Sequence, residues 1–180
     1  MRDLSAARAG PLITVGPLLE PLGPATRYIL RGGPEVRAAA EGAFGVDIPA
    51  RVCRASAKDD RAALWLGPDE WLLIASQAAS SLGAALSAAL AGRPHSLVDV
   101  SHRQTAFTVS GPHAALLLAA GCPLDLDESV FPVDMCTRTM LAKAEVVLWR
   151  TAPQVFRVEV FRSFAAYVSR YLAEAARGMN

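Results

Sequence analysis

Asp99-Val100-Ser101-His102-Arg103 gathers the three side-chain types of a hydrolase triad into five consecutive residues. Adjacency works against that chemistry. In an extended chain neighbouring side chains point to opposite faces, so Ser101 and His102 would not meet. No G-x-S-x-G turn surrounds Ser101 to hold an exposed nucleophile. The segment is therefore expected to be a turn or strand end that hydrogen-bonds backbone. His95, His102 and His113 lack the i, i+4 spacing and neighbouring cysteines of a metal site. Gly32-Gly33 and Gly111 belong to neither G-x-G-x-x-G nor G-x-x-x-x-G-K, so a phosphate cradle is unsupported. Asp69 and Glu70 are adjacent in a turn, whereas carboxylates paired for acid–base work come from separate elements facing a cleft. These observations predict no catalytic, cofactor-binding or metal-binding residues in this chain.

The remaining candidates are residues that meet partners. Trp65, Trp71 and Trp149 fall on expected hairpin strands, where core packing is their ordinary role. Tryptophan is also enriched at binding hot spots. Arg138, Lys143, Arg150, Arg157 and Arg162 cluster on the second hairpin and at the start of the last helix. They form either a solvated face or a surface for an acidic partner. The candidate partner-interface set is Trp65, Trp71, Arg103, Arg138, Arg150 and Arg162.

Composition agrees with a partner-bound chain. Hydrophobic residues make up 52% and charged residues 19% of 180 positions, an apolar balance that favours surface patches for protein contact. With 18 basic and 17 acidic side chains, the net charge of +1 lacks the basic footprint of a nucleic-acid binder. No apolar run approaches the ~18 residues of a membrane span, and residues 1–10 lack the apolar centre of a secretory signal. Cys53, Cys122 and Cys136 form no C-x-x-C pair and are expected as reduced thiols in a cytoplasmic protein.

The elements that position these residues recur. Residues 1–24, rich in Pro and Gly, are expected to run as an extended arm. Residues 26–30 read as a strand, and Pro34 suits the first turn of a helix with Val36, Ala39, Ala40, Ala43 and Phe44 on one face. After a less regular stretch at 46–62, residues 63–66 and 71–75 form a hairpin around Gly67-Pro68-Asp69-Glu70. Ser80 or Ser81 is placed to cap a helix whose apolar face is Leu82, Ala85, Leu86, Ala89 and Leu90. In the second half, strand 105–109 leads through Gly111-Pro112 to a short helix at 115–120. A strand at 139–150, a turn and a strand at 155–161 follow. The last helix begins near Ser163, with Phe164, Tyr167, Val168, Tyr171 and Leu172 on one face. The order β-α-β-β-α thus occurs twice, with a period of about 80 residues. The expectation is an α+β fold of two packed copies: an arm (1–24), a first half (25–94) and a second half (95–180).

Three stretches carry a family resemblance. They are the hairpin Leu64-Trp65-Leu66-Gly67-Pro68-Asp69-Glu70-Trp71, the block from Val98-Asp99-Val100-Ser101-His102-Arg103 through Gly111-Pro112 to Gly121-Cys122-Pro123, and the tail Phe161-Arg162-Ser163-Phe164-Ala165-Ala166-Tyr167. Together they resemble the gamma subunit of heterotetrameric sarcosine oxidase. The resemblance implies a non-catalytic subunit partnered by alpha, beta and delta, with direct contact to alpha. It implies a complex that demethylates sarcosine to glycine and passes the one-carbon unit to tetrahydrofolate. FAD, FMN and NAD would reside on other subunits. It also implies a fold similar to the folate-binding domain of aminomethyltransferases. The alternative is a stand-alone folate-binding or aminomethyltransferase-like protein, resting on the shared block from Asp99 to Pro112.

Overall fold

A computed structural model describes residues 18–76 and 81–179. Two units emerge, one comprising residues 24–101 with 134–137, the other residues 18–23, 102–133 and 138–179.

The first unit holds β2 (Ala25–Gly32), α1 (Pro34–Phe44), β3 (Ala55–Lys58), β4 (Arg61–Gly67), β5 (Glu70–Ser76), α2 (Leu82–Leu90) and β6 (His95–Asp99). Before it in the chain comes β1 (Leu19–Pro21). Pro34 opens α1 at N1, where its missing N–H costs nothing. Gly45 closes it with φ +77, the left-handed conformation that only glycine adopts without strain, and donates to the Glu41 carbonyl at 2.8 Å. Helix α1 buries Val36, Ala40 and Phe44, while α2 buries Leu82, Leu86 and Leu90. These side chains join Leu30, Ala63, Trp71, Leu73 and Ala75 in one core. Ser81 occupies the N-cap of α2, yet its side chain makes no capping hydrogen bond. Ser80 lies outside the described residues. The five strands pair in the order β3-β4-β5-β2-β6.

The second unit repeats this plan with β7 (Gln104–Ser110), α3 (Ala114–Ala119), β8 (Cys136–Leu141), β9 (Ala144–Ala152), β10 (Val155–Phe161) and α4 (Arg162–Arg177). Its sheet runs β1-β7-β10-β9-β8. Written from the other edge, β8-β9-β10-β7-β1 matches β3-β4-β5-β2-β6 strand for strand. The edge strand differs only in origin. In the first unit it follows α2 along the chain, and in the second it is supplied by residues before the whole repeat. Leu19, at 0% exposure, anchors that strand opposite Val109.

The repeated unit is therefore β-α-β-β-β-α rather than β-α-β-β-α. Strand β3 was hidden within the irregular stretch 46–62, because Ala55-Ser56-Ala57-Lys58 is short and carries no β-branched or aromatic residue. Its turn uses Asp59 at φ 54. The expected single strand at 139–150 is two strands, broken by a hairpin in which Ala142 takes φ 53. Alanine at a left-handed position gives no turn signal of the Asn-Gly kind.

Helix α4 also departs from expectation. Phe164 and Tyr167 are 41% and 38% exposed, whereas Ala165, Val168, Ser169, Leu172, Ala173 and Ala176 are buried. The inward face is built mostly of small residues at i, i+4, i+8 and i+11, which lets the helix backbone approach its neighbours closely. Its aromatic residues are left on the outer side.

Candidate docking surface

Asp99, Val100 and Ser101 complete a strand end. The β2–β6 ladder stops at Tyr28 opposite Asp99. Beyond it, the Arg27 carbonyl accepts from Val100 N–H at 2.9 Å, and the Arg27 N–H donates to Ser101 Oγ at 2.8 Å. Ser101 N–H in turn donates to Asp99 Oδ1 at 2.8 Å. Each polar atom thus replaces a ladder bond that the chain can no longer make. His102 is exposed and takes no part in these bonds. His95 and His113 are exposed as well, and His95 Nδ1 lies 2.7 Å from the Arg93 carbonyl. Among the described residues no group of three or more His, Cys, Asp and Glu side chains is placed to hold a metal ion. Burial pushes the Cys136 thiol up to about 12, with the nearby Cys53 adding to the shift, so Cys136 stays a neutral thiol at neutral pH.

The turn carboxylate Asp69 pairs with Arg31 at 3.0 Å, both half exposed, while its carbonyl accepts from Gly32 N–H at 3.0 Å. Its role is to close the β4–β5 hairpin against β2. Glu70 opens β5 opposite Arg31.

The six candidate interface residues separate sharply. Trp71 is core: it is 3% exposed, and its indole N–H donates to the Pro49 carbonyl at 2.7 Å. Trp65 stands across the ladder from Trp71 and packs partly buried against the same core. Arg150 is 2% exposed. Its guanidinium donates to the carbonyls of Leu126 and Pro153, stands 3.8 Å from a Glu128 oxygen, and lies 4.5 Å from the Phe156 ring centroid. Asp127 shapes the loop that delivers Leu126. Bonds to it from the hydroxyl (2.6 Å) and backbone N–H (2.9 Å) of Ser129 hold its carboxyl below the ordinary range. The side chains of Trp71 and Arg150 thus serve the interior.

Arg103, Arg138 and Arg162 reach the surface to different extents. Arg138 is exposed on β8. Arg103 is exposed and lies 5.0 Å from the Phe161 ring centroid. The Arg162 N–H donates to the Arg103 carbonyl at 2.9 Å, and its guanidinium donates to the His102 carbonyl at 3.2 Å. Arg103 and Arg162 are therefore brought together at the start of α4.

Beside them lies a surface whose aromatic side chains the sequence pattern placed on one face with Val168 and Leu172. On α4 the side chains of Phe164, Tyr167 and Tyr171 follow one another at i, i+3 and i+7 along the outer flank. Tyr171 donates its hydroxyl to the Ala120 carbonyl at 2.6 Å. That approach requires Gly121, where a Cβ would stand 2.6 Å from the ring. Across from the tyrosine, Leu116 of α3 is 61% exposed. A groove of about 500 Å³ runs between α3 and the end of α4, lined by His113, Leu116, Ala119, Ala120, Ala175 and Met179 among others. A second, of about 390 Å³, is lined by Tyr167, Arg170 and Tyr171 with Ala166 and Glu174. The signal that could have found this surface is the run of Ala and Ser at inward spacing on α4, which fills one face without the aromatics.

A family model described as the sarcosine oxidase gamma subunit family matches residues 31–178. The sarcosine oxidase subunit gamma of an Arthrobacter species is 39% identical over 139 residues, which is 77% of this chain and 68% of that one. In the structure of heterotetrameric sarcosine oxidase from Corynebacterium sp. U-96, a chain superposes with TM-score 0.84 and 35% identity, covering 89% of this chain and 83% of that one. The glycine cleavage system aminomethyltransferase T of Bartonella henselae shares the fold at TM-score 0.67 with 14% identity, over 88% of this chain and 46% of that chain.

Proposed function

Because the chain belongs to the sarcosine oxidase gamma subunit family, we propose that it is a non-catalytic subunit of a heterotetrameric sarcosine oxidase, held in place by direct contact with the alpha subunit. The observation that carries the non-catalytic reading is the employment of Asp99 and Ser101. The residues nearest to a nucleophilic site are engaged in ending strand β6, through bonds of 2.8 Å to backbone groups. FAD, FMN, NAD and tetrahydrofolate are then bound by the other subunits, and this chain contributes surface.

Co-expression with the alpha, beta and delta subunits tests this reading. A tag on this chain is expected to recover all four subunits, and the purified single chain is expected to carry no flavin absorbance. Calorimetry of the single chain with tetrahydrofolate is expected to show no binding heat. A folate isotherm at micromolar ligand, or a complete active oxidase assembled without this chain, would overturn it. The first of those outcomes would favour the stand-alone folate-binding alternative.

A further inference from the structure

The two units provide an internal control on surface composition. They share strand order and helix placement, so any feature present on one helical layer and missing from the other is not demanded by the fold. On the first unit, the exposed positions of α1 are Pro34, Glu35, Ala38 and Gly42, and those of α2 are Ala84, Ala85, Ser87 and Ala88. No large apolar side chain stands out from either helix. On the second unit, Leu116 of α3 is 61% exposed, and Phe164 and Tyr167 of α4 are 41% and 38% exposed. Tyr171 lines one of the two grooves along these helices, and Ala120, whose carbonyl accepts from the Tyr171 hydroxyl, lines the other.

From this asymmetry we propose that the outer α3/α4 face, centred on Leu116, Phe164, Tyr167 and Tyr171, is the surface by which this chain docks on another subunit of the oxidase. The inference rests on the subunit reading above and adds the face and its chemistry. An apolar centre with aromatic and arginine side chains is the composition of buried interface cores. The charge around it specifies the occupant further. Arg170 borders the second groove and pairs with no carboxylate among the described residues, while Glu174, one turn on, pairs with Arg177 at 2.8 Å. The Arg103 guanidinium lies 5.0 Å from the Phe161 ring centroid and pairs with no carboxylate among the described residues. The matching surface on the partner is therefore an apolar protein segment rimmed by carboxylates.

The test uses the four-subunit complex with a tag on this chain. Leu116→Glu and Tyr167→Glu place charge in the apolar centre, and Arg170→Glu reverses the rim. Ala84→Glu and Ala88→Glu make the same change on the exposed side of α2. All five positions are exposed, so thermal unfolding of each single chain is expected to match the parent. Recovery of partner subunits is expected to fall at least about tenfold for Leu116→Glu and Tyr167→Glu. Arg170→Glu is expected to slow association and to lessen its dependence on salt. The Ala84 and Ala88 variants are expected to assemble as the parent does. Full assembly by a Leu116→Glu/Tyr167→Glu double variant overturns the assigned face while leaving the subunit reading intact. Failure of the parent chain itself to recover any partner overturns both.

Discussion

Single side chains in this protein are committed mainly to satisfying backbone. Trp71 and Trp149 show how far the same residue type can differ in that respect. Trp71 donates to the Pro49 carbonyl, while the buried Trp149 indole nitrogen has no partner among the described residues. Replacing either by Phe removes similar volume, but only Trp71→Phe strands a buried carbonyl, at a cost of about 1–3 kcal/mol. Urea unfolding of the two variants is expected to show Trp71→Phe as the less stable by that margin. Cys136 sets an alkaline limit. Its thiol is raised by burial to about 12 in the folded chain against an ordinary 9. The native state therefore favours the protonated form. That contribution is complete below pH 9 and is lost between 9 and 12, as the unfolded chain ionises first. A Cys136→Ala variant is expected to lose stability more shallowly over that range, by roughly 1 kcal/mol per pH unit. Denaturant midpoints measured from pH 8 to 11 check this. Asp99, Ser101 and Asp69 were legible in the sequence as turn and strand-end residues, because Asx and Ser chemistry is local. Arg150 was not, because its partners Leu126 and Phe156 are placed by folding.

At the level of elements, local rules predicted where helices start and stop better than which side they bury. Pro34 and Gly45 bound α1 as steric reasoning requires. On α4 the apolar count favoured the aromatic face, yet close packing selected Ala165, Ser169, Ala173 and Ala176 together with Val168 and Leu172. Leucine at Ala165 is expected to cost about 1–3 kcal/mol by overpacking a position with 0% exposure. Serine at the exposed Tyr167 is expected to shift stability by no more than about 0.5 kcal/mol. Thermal unfolding of the two single chains distinguishes these outcomes. If Tyr167→Ser proved the more damaging, Tyr167 would be part of the fold rather than of a surface. The β8–β9 hairpin escaped sequence reasoning for a different cause. Ala142 tolerates a left-handed φ there because the flanking strands hold it, a context that no residue type announces.

Across the whole molecule, duplication accounts for the architecture, and the exchange of edge strands distinguishes its two copies. Strand β1 closes the second sheet from a position in the chain that precedes the first. Leu19→Ala is expected to cost about 2–5 kcal/mol. Hydrogen exchange should accelerate at β7 before it does so at β2, since β1 pairs only with β7. Uniform acceleration of both strands would contradict that assignment. The repeat, the α+β class, the hairpin with its two tryptophans and the interior glycine and proline boundaries were determined by the sequence itself. They depend on spacing and on conformational preferences that act within a few residues. The burial of Arg150, the edge strands β1 and β6, and the outward aromatic face of α4 were decided only by tertiary structure. Each depends on which distant segment takes up the neighbouring place, and periodicity along one helix or strand carries no information about its partner.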